Sequence, residues 1–287
     1  MTSIRTIGVI GAGTMGRGIA QVAAQAGFDV LLLDVSAPAL KTALAQIKDG
    51  LRKSVEKGKL ASAEATRTLS SIHPRKNLND LGEADFVIEA ALEEMEVKKD
   101  IFRKIDQVVA PHTILASNTS SLSINAIASL TKTPDSVIGM HFFNPAPIMR
   151  LVEVIRGRVT SDETVKRTCE LAGQLGKTPV VCTDTPGFIV NRVARPFYGE
   201  ALRLLGEGVA SVEQIDQIAK LSGGFRMGPF ELMDLIGIDV NFAVTKSVYE
   251  QFFHEPRFRP HPLQRQMVEA GRLGRKAGRG FYEYEEK

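Results

Sequence analysis

Short aliphatic and β-branched runs alternate with longer stretches of helical period over the first two-thirds of the chain. Thr6–Ile10 reads as a strand, Met15–Ala26 as a helix closed by Gly27, and Val30–Leu33 as a second strand. A helix over about Pro38–Lys57 and then a polar stretch follow. Phe86–Ala90 reads as a strand and Met95–Val109 as a helix. Ile114–Ser117 and Val137–Met140 read as further strands, with a short helix at Ile124–Leu130 between them. Leu151–Ile155 is β-rich, Asp162–Leu175 is helical with Asp162 placed to cap it, and Pro179–Cys182 is a last strand. Such alternation predicts a parallel sheet with helices on both faces.

The pattern changes at Thr183-Asp184-Thr185-Pro186-Gly187. Beyond it, Ile189–Leu205, Val212–Leu221 and Phe230–Phe253 have helical period, and only Phe281–Tyr284 reads as extended. A domain boundary is therefore expected near Asp184, giving 1–184 and 185–287. The fold class expected is α/β, followed by a smaller all-helical C-terminal domain.

The 287 residues carry 44% hydrophobic positions and a net charge of +3 with both signs interspersed, which gives no reason to expect nucleic acid as a partner. No apolar run approaches a membrane span, and the run from Ile7 is interrupted at once by glycines, so no signal peptide is read there. A cytoplasmic protein without membrane partners is expected. Cys169 and Cys182 are too few for a disulfide framework and lack metal-ligand spacing. They read as buried thiols, and no metal is expected.

The first strand runs into Gly11-Ala12-Gly13-Thr14-Met15-Gly16 and then a helix. This is the G-x-G-x-x-G arrangement in its proper strand–turn–helix context. Gly11 permits the tight turn, Gly13 lets the backbone approach a pyrophosphate, and Gly16 lets helix and strand pack closely. The N–H groups at the helix start, at Thr14 and Met15, are suited to phosphate. Asp34 closes the second strand, 18 residues after Gly16. A carboxylate there accepts ribose hydroxyls and repels a 2′-phosphate, which favours NAD over NADP. The competing reading is that Asp34 only caps the next helix.

Oxidising an alcohol requires a base for the hydroxyl proton, and histidine is best poised for this near neutral pH. Of five histidines, His73 and His112 lie in loop-like polar surroundings, and His254 and His261 in a Pro- and Arg-rich stretch. His141 instead ends a strand, within Gly139-Met140-His141-Phe142-Phe143-Asn144-Pro145. Ligands of open α/β sheets bind at carboxyl ends of strands. Glu153 lies in the apolar run Leu151–Ile155, where an unpaired buried acid is costly; a histidine partner resolves that, an outward-facing Glu is the alternative. Ser120, in Ser117-Asn118-Thr119-Ser120-Ser121, follows another strand end, in a run that equally suits a helix cap.

These segments, with Asp184-Thr185-Pro186-Gly187-Phe188 through Asn191-Arg192, Gly228-Pro229-Phe230-Glu231-Leu232 and Gly274-Arg275-Lys276 through Gly280-Phe281-Tyr282, resemble the 3-hydroxyacyl-CoA dehydrogenase family over essentially the full length. Within it, the likeness is to bacterial members acting on 3-hydroxybutyryl-CoA. The resemblance implies a Rossmann-type domain, a helical domain for substrate binding and dimerisation, NAD as cofactor and an acyl-CoA substrate of S configuration. It implies His141 as general base, Glu153 as its partner, Ser120 at the reacting oxygen and the nicotinamide, and Asn191 holding the substrate oxygen. It further implies Glu93, Lys98, Asn144 and Lys276 near the cofactor. Lys53 and Lys57, four apart on one helix face, are suggested as contacts for the CoA phosphates; a solvated lysine face is the plain alternative.

Two other readings share the glycine loop. One is a dehydrogenase of a sugar acid such as gulonate, which has no need of the lysine face. The other is a silent NAD-binding protein of the lens-crystallin kind, against which the complete set Ser120, His141, Glu153 and Asn191 argues.

Overall fold

A computed structural model describes residues 4–285. The backbone divides into two compact units, one ending at Thr185 and the other beginning at Pro186.

The N-terminal unit is built on a sheet that has eight strands among the described residues: β1 (Thr6–Ile10), β2 (Asp29–Leu33), β3 (Ile72–Arg75), β4 (Phe86–Glu89), β5 (Ile114–Ser117), β6 (Val137–Phe142), β7 (Leu151–Arg156) and β8 (Thr178–Thr183). Their order is β3-β2-β1-β4-β5-β6-β7-β8. Helices α1 (Thr14–Gln25), α2 (Ala37–Glu56), α3 (Ser62–Ser70), α4 (Met95–Ile105), α5 (Ile124–Ala128) and α6 (Asp162–Gln174) connect them. Ile7, Val9, Val30, Leu32, Phe86 and Ile88 join Ile19, Leu40 and Leu171 in one core cluster. Their strand neighbours Leu31, Val87 and Leu115 point to the other face and are buried as well. Burial on both faces explains why the central strands read as nearly continuous apolar runs. Each fully buried side chain of this size contributes about 1.5–3 kcal/mol.

The sheet departs from the all-parallel expectation at one pairing. β7 runs antiparallel to β6, with His141 opposite Glu153, while β8 is again parallel to β7. Eight residues (143–150) join β6 to β7. A parallel return needs a crossover of a dozen residues or more, so this connection only allows the chain to double back.

The polar stretch after α2 contains α3 and β3, which the hydrophobic pattern did not reveal. β3 is an edge strand with little apolar content and a proline at position 74, tolerable only at an edge. His73, expected in a loop, therefore lies on that strand, 3.6 Å from Asp29. Ser161, rather than Asp162, caps α6 by accepting from the Thr164 N–H at 3.2 Å. Asp162 occupies the first turn and pairs with Arg156 at 2.7 Å.

The C-terminal unit comprises α7 (Val190–Gly206), α8 (Val212–Leu221), α9 (Pro229–Ile236), α10 (Ile238–Gln251) and α11 (Pro262–Glu269). Tyr198, Leu202, Phe230, Met233 and Ile238 form its core. The helix expected over Phe230–Phe253 is two helices. Gly237 adopts φ +102, outside helical space, and breaks the run between α9 and α10. α11, which the sequence reading did not include, begins where the Pro- and Arg-rich stretch ends; His261 caps it, its Nδ1 accepting from the Leu263 N–H at 3.3 Å. The segment after Gly274 forms isolated bridges and is clamped to α9. The fully buried Asp234 carboxylate accepts from the Phe281 and Tyr282 N–H groups, both at 3.0 Å, and from the Tyr284 hydroxyl at 2.9 Å.

Candidate active site

β1 delivers the chain into the glycine turn. Gly11 has φ +102, and a Cβ there would stand 2.5 Å from the Ala90 carbonyl oxygen at the end of β4. A Cβ on Gly16 would collide with the Gly11 carbonyl, so α1 packs against the turn only because both are glycines. A Cβ on Gly13 would meet nothing within 4 Å. The start of α1 therefore faces open space, and its N-cap, Gly13, brings no side chain to its N–H groups. A diphosphate fits that combination of bare donors, positive dipole end and room.

Asp34 follows β2 and braces this turn. Its Oδ2 accepts from the Ala12 N–H at 2.8 Å, and Oδ1 from the Ser36 N–H at 2.9 Å. The cap of α2 is Ser36, which accepts from the Ala39 N–H at 3.2 Å. The reading of Asp34 as a mere helix cap is thereby set aside; its carboxylate is held at the glycine turn instead.

His141 and Glu153 meet across the β6–β7 ladder. His141 Nδ1 lies 2.8 Å from Glu153 Oε2, and the side chains are 8% and 1% exposed. An unpaired carboxylate so deep would be strongly unfavourable, and the imidazole satisfies it. With the carboxylate accepting the Nδ1 proton, the ring's lone pair resides on Nε2. Phe143 packs on the imidazole, ring centroids 4.5 Å apart. The end of β6 is tied to the end of β5: the Phe142 N–H donates to Asn118 Oδ1 at 2.8 Å.

Ser120 sits in the loop after β5, where Glu93 gathers the donors. Glu93 Oε1 accepts from Thr119 Oγ1 at 2.6 Å, from the Ser120 N–H at 2.7 Å and from Ser120 Oγ at 3.1 Å. Its other oxygen, Oε2, lies 3.2 Å from Lys98 Nζ. Partial burial alone would raise the Glu93 carboxyl; the Lys98 cation and the donors from Thr119 and Ser120 outweigh it and hold the group below its ordinary value. Lys98 is 1% exposed and also pairs with Glu89 at 2.7 Å. Glu93, Lys98 and Ser120 are thus one connected cluster.

Asn144 is exposed on the loop after β6, beside a cis bond to Pro145. In the C-terminal unit, Asn191 lies in the first turn of α7, its carbonyl accepting from Arg195 Nε at 3.2 Å. Lys276 pairs with Asp239 at 2.6 Å. Lys53 pairs with Asp49 at 2.7 Å and is 60% exposed, and Lys57 is the C-cap of α2. Both cysteines are half-buried rather than buried. Burial, then the carboxylates of Glu153 and Asp184, push the Cys182 thiol up to about 12.

Sequence reasoning missed Glu89 and Asn118. Glu89 ends the apolar strand Phe86-Val87-Ile88-Glu89. The argument applied to Glu153, an acid in an apolar run, would have found it. Asn118 stood in plain sight between Ser117 and Thr119, but an amide tying two strand ends together leaves no periodic trace.

The fold and glycine turn define a dinucleotide-binding protein. The family model for the 3-hydroxyacyl-CoA dehydrogenase NAD-binding domain matches residues 6–185, and that for the C-terminal domain of the same family matches residues 187–284. The chain belongs to the 3-hydroxyacyl-CoA dehydrogenase family, NAD-dependent oxidoreductases acting on a CH–OH group. It is 52% identical to the 3-hydroxyadipyl-CoA dehydrogenase of Escherichia coli K12 over 284 residues, 99% of this chain but 60% of that relative's length. It is 50% identical to a probable 3-hydroxybutyryl-CoA dehydrogenase of Deinococcus radiodurans, covering 96% and 99% of the two chains. The crystal structure of (S)-3-hydroxybutyryl-CoA dehydrogenase from Ralstonia eutropha superposes with a TM-score of 0.95 at 46% identity, covering 99% of this chain and all of that one. Among the described residues no helix is long and apolar enough to cross a membrane.

Proposed function

We propose that this chain interconverts (S)-3-hydroxyacyl-CoA and 3-ketoacyl-CoA, with 3-hydroxybutyryl-CoA and acetoacetyl-CoA as the simplest pair. The observation that carries the reading is the buried His141–Glu153 pair at the carboxyl end of β6, in a unit whose glycine turn suits a dinucleotide.

NAD, when bound, supplies the two-electron acceptor for C3 of the substrate. Gly11, Gly13, Thr14, Met15 and Gly16 would receive its diphosphate and Asp34 its adenosine ribose; Glu93, Lys98, Ser120, Asn144 and Lys276 are assigned to its nicotinamide end. His141 Nε2 takes the C3 hydroxyl proton as the C–O bond becomes a carbonyl, and Glu153 stabilises the imidazolium that results. In the reverse direction the imidazolium returns that proton to the oxygen. Ser120 and Asn191 donate to the same oxygen and fix its position. Lys53 and Lys57 would meet the CoA phosphates.

The 52% identity to a 3-hydroxyadipyl-CoA enzyme favours a second reading of the acyl group, a longer chain ending in a carboxylate. Chemistry at C3 is the same in both. We also assign dimerisation to the helical unit, because Ile218, Leu221, Leu235, Ile236 and Val240 of α8–α10 are 41–77% exposed.

The deciding assay follows NADH consumption with acetoacetyl-CoA, the 3-ketoadipyl thioester and a keto sugar acid. Turnover on a thioester supports the reading, and comparison of the two thioesters sets the acyl preference. Activity confined to the sugar acid, or NADH binding without turnover, overturns it. His141→Ala is expected to lower turnover by about 10²–10⁴-fold with NADH binding retained.

A further inference from the structure

Beneath the Ser120 loop lies a second buried carboxylate that the reaction above does not use. Glu89, at the end of β4, is 1% exposed, and both its oxygens are engaged. Oε1 accepts from the Ala91 N–H at 2.6 Å and from Lys98 Nζ at 2.7 Å. Oε2 accepts from Ser117 Oγ at 2.6 Å. The backbone of the same residue receives the Asn118 N–H at 2.7 Å. Next in the chain, the Ala90 N–H donates to the Ile10 carbonyl at 2.7 Å, and Ala90 is the residue whose carbonyl excludes a side chain from Gly11. Glu89 therefore stands between the glycine turn and the loop that carries Ser120.

Lys98 extends the reach of Glu89. Its ammonium bridges Glu89 and Glu93, and Glu93 in turn holds Thr119 and Ser120. A buried lysine with Glu93 alone would form a neutral pair. With Glu89 the group sums to two carboxylates against one ammonium.

We propose, resting on the function assigned above, that Glu89 is a positioning residue for the reaction. By anchoring Lys98 and Ser117 it seats Glu93 against Ser120, and it leaves one net negative charge beneath the loop assigned to the nicotinamide. The oxidised ring is cationic and the reduced ring neutral. A residual negative charge near it favours the oxidised cofactor by Coulomb attraction, in a setting partly shielded from water.

Glu89→Gln isolates the charge. The amide oxygen can keep Ala91 and Lys98, the amide nitrogen can donate to Ser117 Oγ, and the shape is unchanged. Calorimetric titration of NAD⁺ and NADH is expected to show the ratio of their dissociation constants shifted about 3–10-fold against NAD⁺. kcat for reduction of the thioester by NADH, the direction in which the ring becomes cationic, is expected to fall about 2–5-fold with the acyl-CoA KM little changed, as for a loss felt at the reacting centre rather than in substrate binding. Glu89→Asp keeps the charge and opens a small void, so the native cofactor ratio should return even where thermal stability is lower. A merely structural Glu89 predicts the opposite order, with the isosteric Gln benign and Asp harmful.

A folded Glu89→Gln protein with native kcat and native cofactor ratio overturns the proposal. If that variant does not fold, Ser117→Ala removes one anchor and retains the charge. It should lower kcat at unchanged KM, and native kinetics in Ser117→Ala would then overturn the proposal. The titrations need no acyl-CoA, so a wild-type chain that binds both cofactors but does not turn over a thioester sinks the assigned substrate and leaves the charge effect testable.

Discussion

His141 Nδ1 and Glu153 Oε2 stand 2.8 Å apart across an antiparallel ladder, each residue directly opposite the other in register. Cross-strand partners of this kind have fixed side-chain directions, because the pleat sends both to the same face of the sheet. A pair built this way keeps its geometry without help from a mobile loop. The short reversal between β6 and β7 is what makes the partnership possible.

Removing the charge of that partner should therefore tell on turnover rather than on folding. Glu153→Gln is expected to lower kcat by about 10²-fold, with NADH affinity preserved. Steady-state kinetics beside an NADH titration measures both. A variant that is folded and fully active would show that His141 works without the carboxylate.

Asp34 braces the glycine turn through the Ala12 N–H. Asp34→Ala removes both that brace and the acceptor proposed for the ribose. NADH affinity should drop about ten-fold or more, the scale of a charged hydrogen bond, and discrimination against NADPH should narrow. Fluorescence titration with both cofactors checks this, and unaltered NADH affinity would contradict the role.

Glu93 carries a pH signature. Its carboxyl is held below its ordinary value of 4.5 in the folded protein, so the folded state binds this proton less readily than the unfolded chain. Its contribution to stability is present above about pH 4.5 and is lost as pH falls through the lower folded value. Glu93→Gln should melt below the parent protein near neutrality, and the gap should close as the medium is acidified below pH 4.5. A gap that widens on acidification would reverse the sign argued here.

Gly237 separates α9 from α10 at φ +102, and a Cβ there would stand 3.0 Å from Asp239 Oδ1. Gly237→Ala is expected to destabilise the protein by about 1–2 kcal/mol, seen in denaturant unfolding. A variant as stable as the parent would show that the left-handed turn relaxes freely.

Legibility in the sequence followed burial and length. α8 was read at its observed bounds because its apolar period is regular, and the strands β1, β2, β4, β5 and β6 stood out because both faces are covered. β3 was missed for the converse reason: at the sheet's edge, with polar neighbours and Pro74, nothing forces an apolar run. The α9–α10 break was missed because one glycine within a helical period does not announce its φ. His141 and Glu153 were found because acids and imidazoles in apolar strands demand a partner. Lys98 and Glu93 were read only through family likeness, since a lysine on an amphipathic helix gives no sign that its ammonium is turned inward to Glu89.

The clamp on Asp234 bears on how the molecule is made. The donors that satisfy this carboxylate come from residues 47, 48 and 50 positions downstream. During synthesis, α9 emerges from the ribosome long before Phe281, Tyr282 and Tyr284 do. Its acid must stay hydrated until they arrive, so the second unit completes its interior only once the chain has been made through Tyr284. The sheet, whose last strand ends at Thr183, has every strand in hand about a hundred residues earlier.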